Sequence, residues 1–227
     1  VSDVDYIYDK TKNISPQAKS DIIRLSLLKN LGGVWADSTM LCMQPLDHWV
    51  FDAIRPSKFW MYHGHGSGLS SDLGPASWFI ISEENNYLIT KWKIACDIFW
   101  SKNDDSKDYF WMDGLFKDLI EKDYKFKHEW LKTPFLYCEK IGSSHTLAHY
   151  NFKMQGRSNK IKAIFKEKPP YALKLSSQIE KIFPSLNSNK FKKSNVFFAI
   201  SMSKRKYIYN HGFDNPVSIK NPINLRV

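Results

Sequence analysis

Asp21 and Arg24 stand three residues apart, and Asp37 follows in Trp35-Ala36-Asp37-Ser38-Thr39, after the pair Gly32-Gly33. On a helix, a spacing of three sets an acid and a guanidinium side by side on one face. A carboxylate there can accept hydrogen bonds from sugar hydroxyls, and an arginine fork can offset the charge of a phosphate. A further acid carried on a glycine-led strand completes a set suited to a sugar nucleotide. Each part alone has an ordinary explanation: a surface ion pair of little worth, a glycine helix stop, a turn aspartate. The ordered combination is far more specific than any of them.

The elements that must position these residues are legible nearby. Ser15-Pro16 has the form of an N-cap followed by proline at the first helical position, where its missing N–H costs nothing. Ala18, Ile22, Leu25 and Leu28 then recur at helical spacing as one apolar stripe, and Gly32-Gly33 provides the stop. Val34-Trp35-Ala36 and Met40-Leu41-Cys42 read as a mostly buried strand, interrupted near its end by the polar Asp37-Ser38-Thr39. Open α/β sheets bind ligands at such places. Strand alternation puts Trp35 on the face of Asp37, so Trp35 joins the site, whereas Trp78, Trp92, Trp100 and Trp111 fall in regular elements and are read as core.

Ser20-Asp21-Ile22-Ile23-Arg24 with Leu31-Gly32-Gly33-Val34-Trp35-Ala36-Asp37-Ser38-Thr39 resembles the capsular polysaccharide synthesis family of glycosyltransferases. That family reads approximately Ser-Asp-x-x-Arg, then Tyr-Gly-Gly-x-Trp-x-Asp-Ala-Thr. More distantly the segment is similar to sugar transferases with an Asp-x-Asp motif, such as initiating mannosyltransferases and glucosylating toxins. The resemblance implies a GT-A-like α/β fold, an open mixed sheet flanked by helices. It carries donor contacts onto Asp21, Arg24 and Asp37, with Asp37 also the one ligand for a divalent cation, Mn or Mg; Gly33, Trp35, Ser38 and Thr39, from the same segment, complete the expected donor-binding set. Thr39 stands where the wider group has its second acid. The family places a nucleotide-binding strand upstream of the helix; here that strand is absent or replaced, and an opening on Asp3, Asp5 and Asp9 is consistent with a fragment or processed product. Two weaker likenesses lie downstream: Asp108 to Asp113, near the family's acceptor side, and Pro169-Pro170-Tyr171-Ala172-Leu173-Lys174-Leu175. The resemblance runs from residue 15 to about 176.

A transferase of this kind needs a base for the acceptor hydroxyl if it inverts. Asp72, Asp108 and Asp113 are the acceptor-side acids, each with helix capping or solvent exposure as the plainer reading, and Asp113 is carried forward as catalytic together with Asp37. His63 and His65, in a glycine-rich loop, read as a mobile cover more readily than as metal ligands, and His145 and His149 as packing or capping residues.

Composition agrees with an enzyme without naming one. The 227 residues, 43% hydrophobic and 15% aromatic, can bury one substantial core. No apolar run reaches the roughly 20 residues that span a bilayer, and no signal-peptide pattern opens the chain. Three widely spaced cysteines, Cys42, Cys96 and Cys138, argue against disulfides and zinc and for a reducing, cytoplasmic compartment. The net charge of +10 resides in the C-terminal third, since residues 1–150 hold 17 Lys+Arg against 20 Asp+Glu and residues 151–227 hold 16 against 3. A solvated face is the default for those lysine clusters. Peripheral attachment to an anionic membrane surface, on its inner face, fits an enzyme that extends membrane-linked glycans; nucleic acid is the runner-up.

The remaining pattern alternates: strands at Lys58–Tyr62 and Ala76–Ser82, helices at Glu84–Trp100 and Asp108–Glu121, a polar hinge at Ser185–Ser194 and a last strand at Val196–Ile200. The expected division is a transferase domain over residues 1–184 and a basic extension over 185–227 packing on it. Two other functions compete: a non-catalytic basic module for anionic lipid or RNA, and a degenerate transferase that binds donor without turnover.

Overall fold

The computed structural model describes residues 2–63, 75–134, 171–174 and 187–194, together with 159, 185 and 197. The first helix, α1, spans Pro16–Leu31 and begins as the sequence requires: the Ser15 hydroxyl accepts from the Ala18 N–H, with Pro16 at the first position. All four residues of its apolar stripe are buried. The helix stops at Gly32, whose N–H returns to the Leu28 carbonyl and whose φ of 65° is one that L side chains rarely adopt. Alanine at Gly32 would bring a Cβ within 2.7 Å of the Glu84 nitrogen and 2.9 Å of the Ser82 carbonyl. Gly32→Ala is therefore expected to destabilise the fold by about 2–3 kcal/mol in urea unfolding, through steric overlap and backbone strain together.

Strand β1 (Gly33–Ala36) follows, then β2 (Met40–Cys42), a short α2 (Val50–Ile54), β3 (Phe59–His63) and β4 (Pro75–Ser82). Helices α3 (Tyr87–Lys102), α4 (Trp111–Lys122) and α5 (Tyr124–Leu131) come next, with β5 (Ala172–Lys174) and a one-turn α6 (Asn189–Lys192) later in the chain. Two open sheets form, one in the order β1-β4-β3 and one joining β2 to β5. Every pairing among the described residues is antiparallel, so the expected mixed sheet takes the form of small antiparallel sheets with helices against them. The expected single strand through Asp37 is in fact two strands in different sheets, because Asp37-Ser38-Thr39 turns the chain from one to the other. Upstream of α1, Ser2–Tyr8 form a 3-10 turn rather than a strand.

The three-stranded sheet is buried on both faces, as alternation along β3 makes plain. Phe59 and Met61 face the larger cluster, where α1, α3, α4 and α5 contribute Ile22, Leu25, Trp92, Phe116 and Trp130. Trp60 and Tyr62 face a second, aromatic cluster with Trp49, Trp78 and Phe79. The 3-10 turn is tied to α3 by Lys93, which is 1% exposed and donates to the Asp97 carboxylate at 2.6 Å and to the Asp3 carbonyl at 3.0 Å. The polar stretch Ser185–Ser194, expected as a hinge, contains α6 instead, because the Ser188 hydroxyl caps it and Phe191 buries its ring.

The β3–β4 ladder carries one irregularity, close to the end of β1. It pairs Met61 with Ile80 and then Tyr62 with Ala76, so Ser77, Trp78 and Phe79 have no partners on β3. A bulge of this kind releases backbone groups from the ladder and re-aims them.

Candidate functional site

The bulge and α1 together build the centre of the site. Arg24 projects from α1 into a position only 5% exposed. Its Nη1 donates to the freed Ser77 carbonyl at 2.6 Å, its Nη2 donates to Asp37 Oδ1 at 3.2 Å, and the same Nη2 lies 3.2 Å from Asp21 Oδ1. The guanidinium also lies over the Trp35 ring, 4.9 Å from its centroid, which combines cation–π attraction with shielding from water. Its Nε has no protein partner among the described residues.

Asp37 sits at the end of β1, in the turn between the sheets. Its N–H continues the β1–β4 ladder to the Trp78 carbonyl at 2.9 Å, and its own carbonyl accepts from Met40 at 2.8 Å. Backbone bonds on both sides therefore fix where its carboxylate points. Oδ1 accepts from Arg24 and from Trp35 Nε1 at 3.1 Å; Oδ2 accepts from Lys174 Nζ at 2.7 Å. Lys174 also donates to Thr39 Oγ1 at 2.6 Å. This lysine arrives from β5, whose register against β2 sets Lys174 opposite Met40.

Helix α4 closes the other side. The Asp108 carboxylate accepts from the Phe110 N–H at 2.9 Å, organising the turn that leads into Trp111, Met112 and Asp113. Asp113 is 4% exposed, and burial pushes its carboxyl up to about 7; the nearby Asp21 charge adds to the rise, while Arg24, a Ser77 hydrogen bond and Lys117 oppose it. Burial likewise raises Asp21 to about 6, against the pull of Arg24, with Asp37 raising it further and a hydrogen bond from Trp111 lowering it. Two carboxyls thus titrate near neutrality beside a fixed guanidinium, a combination typical of functional clefts. They line a cavity of about 820 Å³ shared by Asp21, Arg24, Trp35, Asp37, Thr39 and Lys174, with the exposed Tyr109 ring at its edge. That volume accommodates a ligand the size of a sugar nucleotide.

The structure brings together Asp21, Arg24, Trp35, Asp37, Ser38, Thr39 and Asp113, all lining the same cleft. Gly33 is not among the lining residues; it is paired with Ser82 in the sheet. Asp108 lines the cleft and serves as a turn acceptor. His65, Asp72, His145, His149 and most of the basic clusters lie outside the described residues, as does the side chain of His63; of the buried strand expected at Val196–Ile200 only Phe197 is described, and it is helical and exposed instead.

Three participants are not legible in the sequence. Lys174 lies within the Pro169–Leu175 segment, but nothing in that segment assigns it a role. Trp111 reads as core from its place in a helix; it is buried and also holds Asp21. The Ser77 carbonyl depends on a register shift that no residue pattern announces.

The divalent cation implied by the resemblance does not fit the arrangement of these donors. Both oxygens of Asp37 are occupied by cationic or indole donors, and Thr39 supplies a hydroxyl where a second acid would be needed. Among the described residues no group of three or more His, Cys, Asp and Glu could hold a metal ion. No helix among them is long and apolar enough to cross a membrane.

A sequence model of the family described as "Capsular polysaccharide synthesis protein" matches residues 4–198. No curated protein and no solved structure matches the chain.

Proposed function

The chain belongs to the capsular polysaccharide synthesis protein family, and from that premise we propose that it is a GT-A-like glycosyltransferase, moving a sugar from a nucleoside-diphosphate donor to a glycan acceptor. The observation that supports this reading best is the meeting of Asp21, Arg24, Asp37 and Asp113 in one cleft, although they come from α1, the turn after β1, and α4.

The chemistry asks for three services. The diphosphate must be held and its growing charge offset as it leaves, and this falls to Arg24 with Lys174, cations already placed and therefore needing no reorganisation. The donor sugar must be oriented, for which the carboxylates of Asp21 and Asp37 offer acceptors to its hydroxyls. The acceptor hydroxyl must lose its proton. Asp113, with a carboxyl near 7, holds a large share of its unprotonated form at working pH and is still basic enough to take that proton. Tyr109, exposed at the cleft edge, offers an aromatic face on which an acceptor sugar can rest. Peripheral attachment to an anionic membrane through the lysine-rich C-terminal third would bring the cleft to lipid-linked acceptors.

Mass spectrometry of products formed from a panel of sugar nucleotides and glycan acceptors tests the reading. Transfer by the parent protein is expected, with Asp21→Asn and Asp37→Asn each reducing it by about 100-fold or more, the scale for losing an oriented polar contact to the reacting groups. Folded variants that transferred at the parent rate would remove Asp21 and Asp37 from the mechanism.

A further inference from the structure

Two oxygens from different residues, Asp37 Oδ2 and Thr39 Oγ1, converge on a single positive centre at 2.7 and 2.6 Å. That centre is the ammonium of Lys174. We propose that Lys174 is the resident cation of the donor site, binding the donor diphosphate itself, so that the site works without a divalent metal. This inference rests on the transferase reading and specifies how it is carried out.

Several observations point the same way. Lys174 is held by the backbone pairing of β5 with β2, in which Met40, Leu41 and Cys42 face Lys174, Leu173 and Ala172. Its position is therefore set before any ligand arrives. Its side chain is 17% exposed and lines the cleft, so the ammonium is partly desolvated yet reachable. An ammonium has three N–H donors. Two are used by Asp37 and Thr39, and among the described residues the third has no protein partner, which leaves it for a phosphate oxygen. Charge agrees as well. Asp37, with a neutral Thr39 beside it, already has two cations on its carboxylate, Arg24 and Lys174.

In the transfer step, the acceptor hydroxyl oxygen forms a bond to the anomeric carbon, and its proton passes to the Asp113 carboxylate. The bond from that carbon to the diphosphate oxygen breaks, its electron pair staying on the diphosphate. Lys174 and Arg24 stabilise that oxygen by charge-assisted hydrogen bonds. No oxidant, reductant or further reactant is required.

Calorimetry with UDP, GDP and inorganic pyrophosphate, each in EDTA and in manganese, tests this on the full chain. Whichever of them binds should do so in EDTA with an affinity within about twofold of that in manganese. Lys174→Met should weaken binding by about 30-fold, the scale of a charge-assisted contact, while Lys174→Arg keeps most of it. Circular dichroism checks that both variants fold, and the EDTA comparison on the parent needs no variant. Binding of the parent that collapses in EDTA and returns with manganese would overturn the role of Lys174 and leave the transferase reading standing. Absence of binding by all three probes under both conditions would overturn both.

Discussion

Arg24→Met is expected to lower the thermal midpoint by roughly 10 °C and to abolish donor binding. The size follows from where the charges are left. In the folded protein Arg24 is 5% exposed and is shared by Asp21, Asp37 and the Ser77 carbonyl. Methionine fills similar volume but leaves the carboxylates without their common cation, and breaking a buried pair in this way costs about 3–5 kcal/mol. For a chain of this length each kcal/mol moves the midpoint by about 2–4 °C. Lys174 still neutralises part of Asp37, so the loss falls mainly on Asp21. Arg24→Lys separates charge from geometry. A lysine restores one positive charge but cannot reach Ser77, Asp37 and Asp21 together as the planar fork does. It should recover most of the stability while donor affinity stays about 100-fold down. Differential scanning calorimetry and donor titration on the same preparations read the two quantities; an Arg24→Lys protein with parental donor affinity would show that charge alone suffices.

Asp113→Asn is expected to cut kcat by about 10²–10⁴, the usual contribution of a positioned general base, and to stabilise the protein above neutral pH. Folding raises the Asp113 carboxyl from its ordinary value near 3.8 to about 7, so the folded chain holds this proton more tightly than the unfolded one. The favourable contribution is complete below the ordinary value and is lost as pH climbs through 7. Above that, the parent keeps a charged carboxylate buried, whereas asparagine has no charge to bury. The variant should exceed the parent by about 1–3 kcal/mol at pH 8, and the gap should narrow as pH falls below 7 and close only near pH 4. In the parent, kcat/KM should rise with pH and level off above 7. A variant that is inactive but no more stable at pH 8 would mean that Asp113 is not strained by its burial.

The local parts of this architecture are open to sequence reading, and the non-local ones are not. Helix α1 carries its cap, its stripe and its stop within residues 15–33, so each signal supports the next. The same holds for the face shared by Trp35 and Asp37, which strand alternation alone predicts. The split between β1 and β2 is hidden because β2 finds its partner in β5, and Lys174 lies 137 residues beyond Asp37. No window along the chain contains both. Trp111 misleads for a different reason: a buried indole packs as core with its rings and can still offer its N–H to a carboxylate, and periodicity reports only the first. Helices α3 and α4 begin a few residues later than Glu84 and Asp108, α3 because the Asn86 side chain caps it and α4 because Asp108 is taken up in the turn before it, accepting from the Phe110 N–H.

The bulge in β4 has a bearing on how this site tolerates change. The carbonyls that anchor Arg24 and Asp37 belong to Ser77 and Trp78, but any amino acid at those positions would present the same oxygen. What must be kept there is the count of residues between Ala76 and Ile80, since removing one would rotate the following side chains to the opposite face and pull both anchors away. The site is thus partly written in chain length rather than in letters. Trp78 and Phe79 are held in identity by the aromatic cluster they fill, but the two anchoring oxygens depend on spacing alone, and a single insertion or deletion there would displace both.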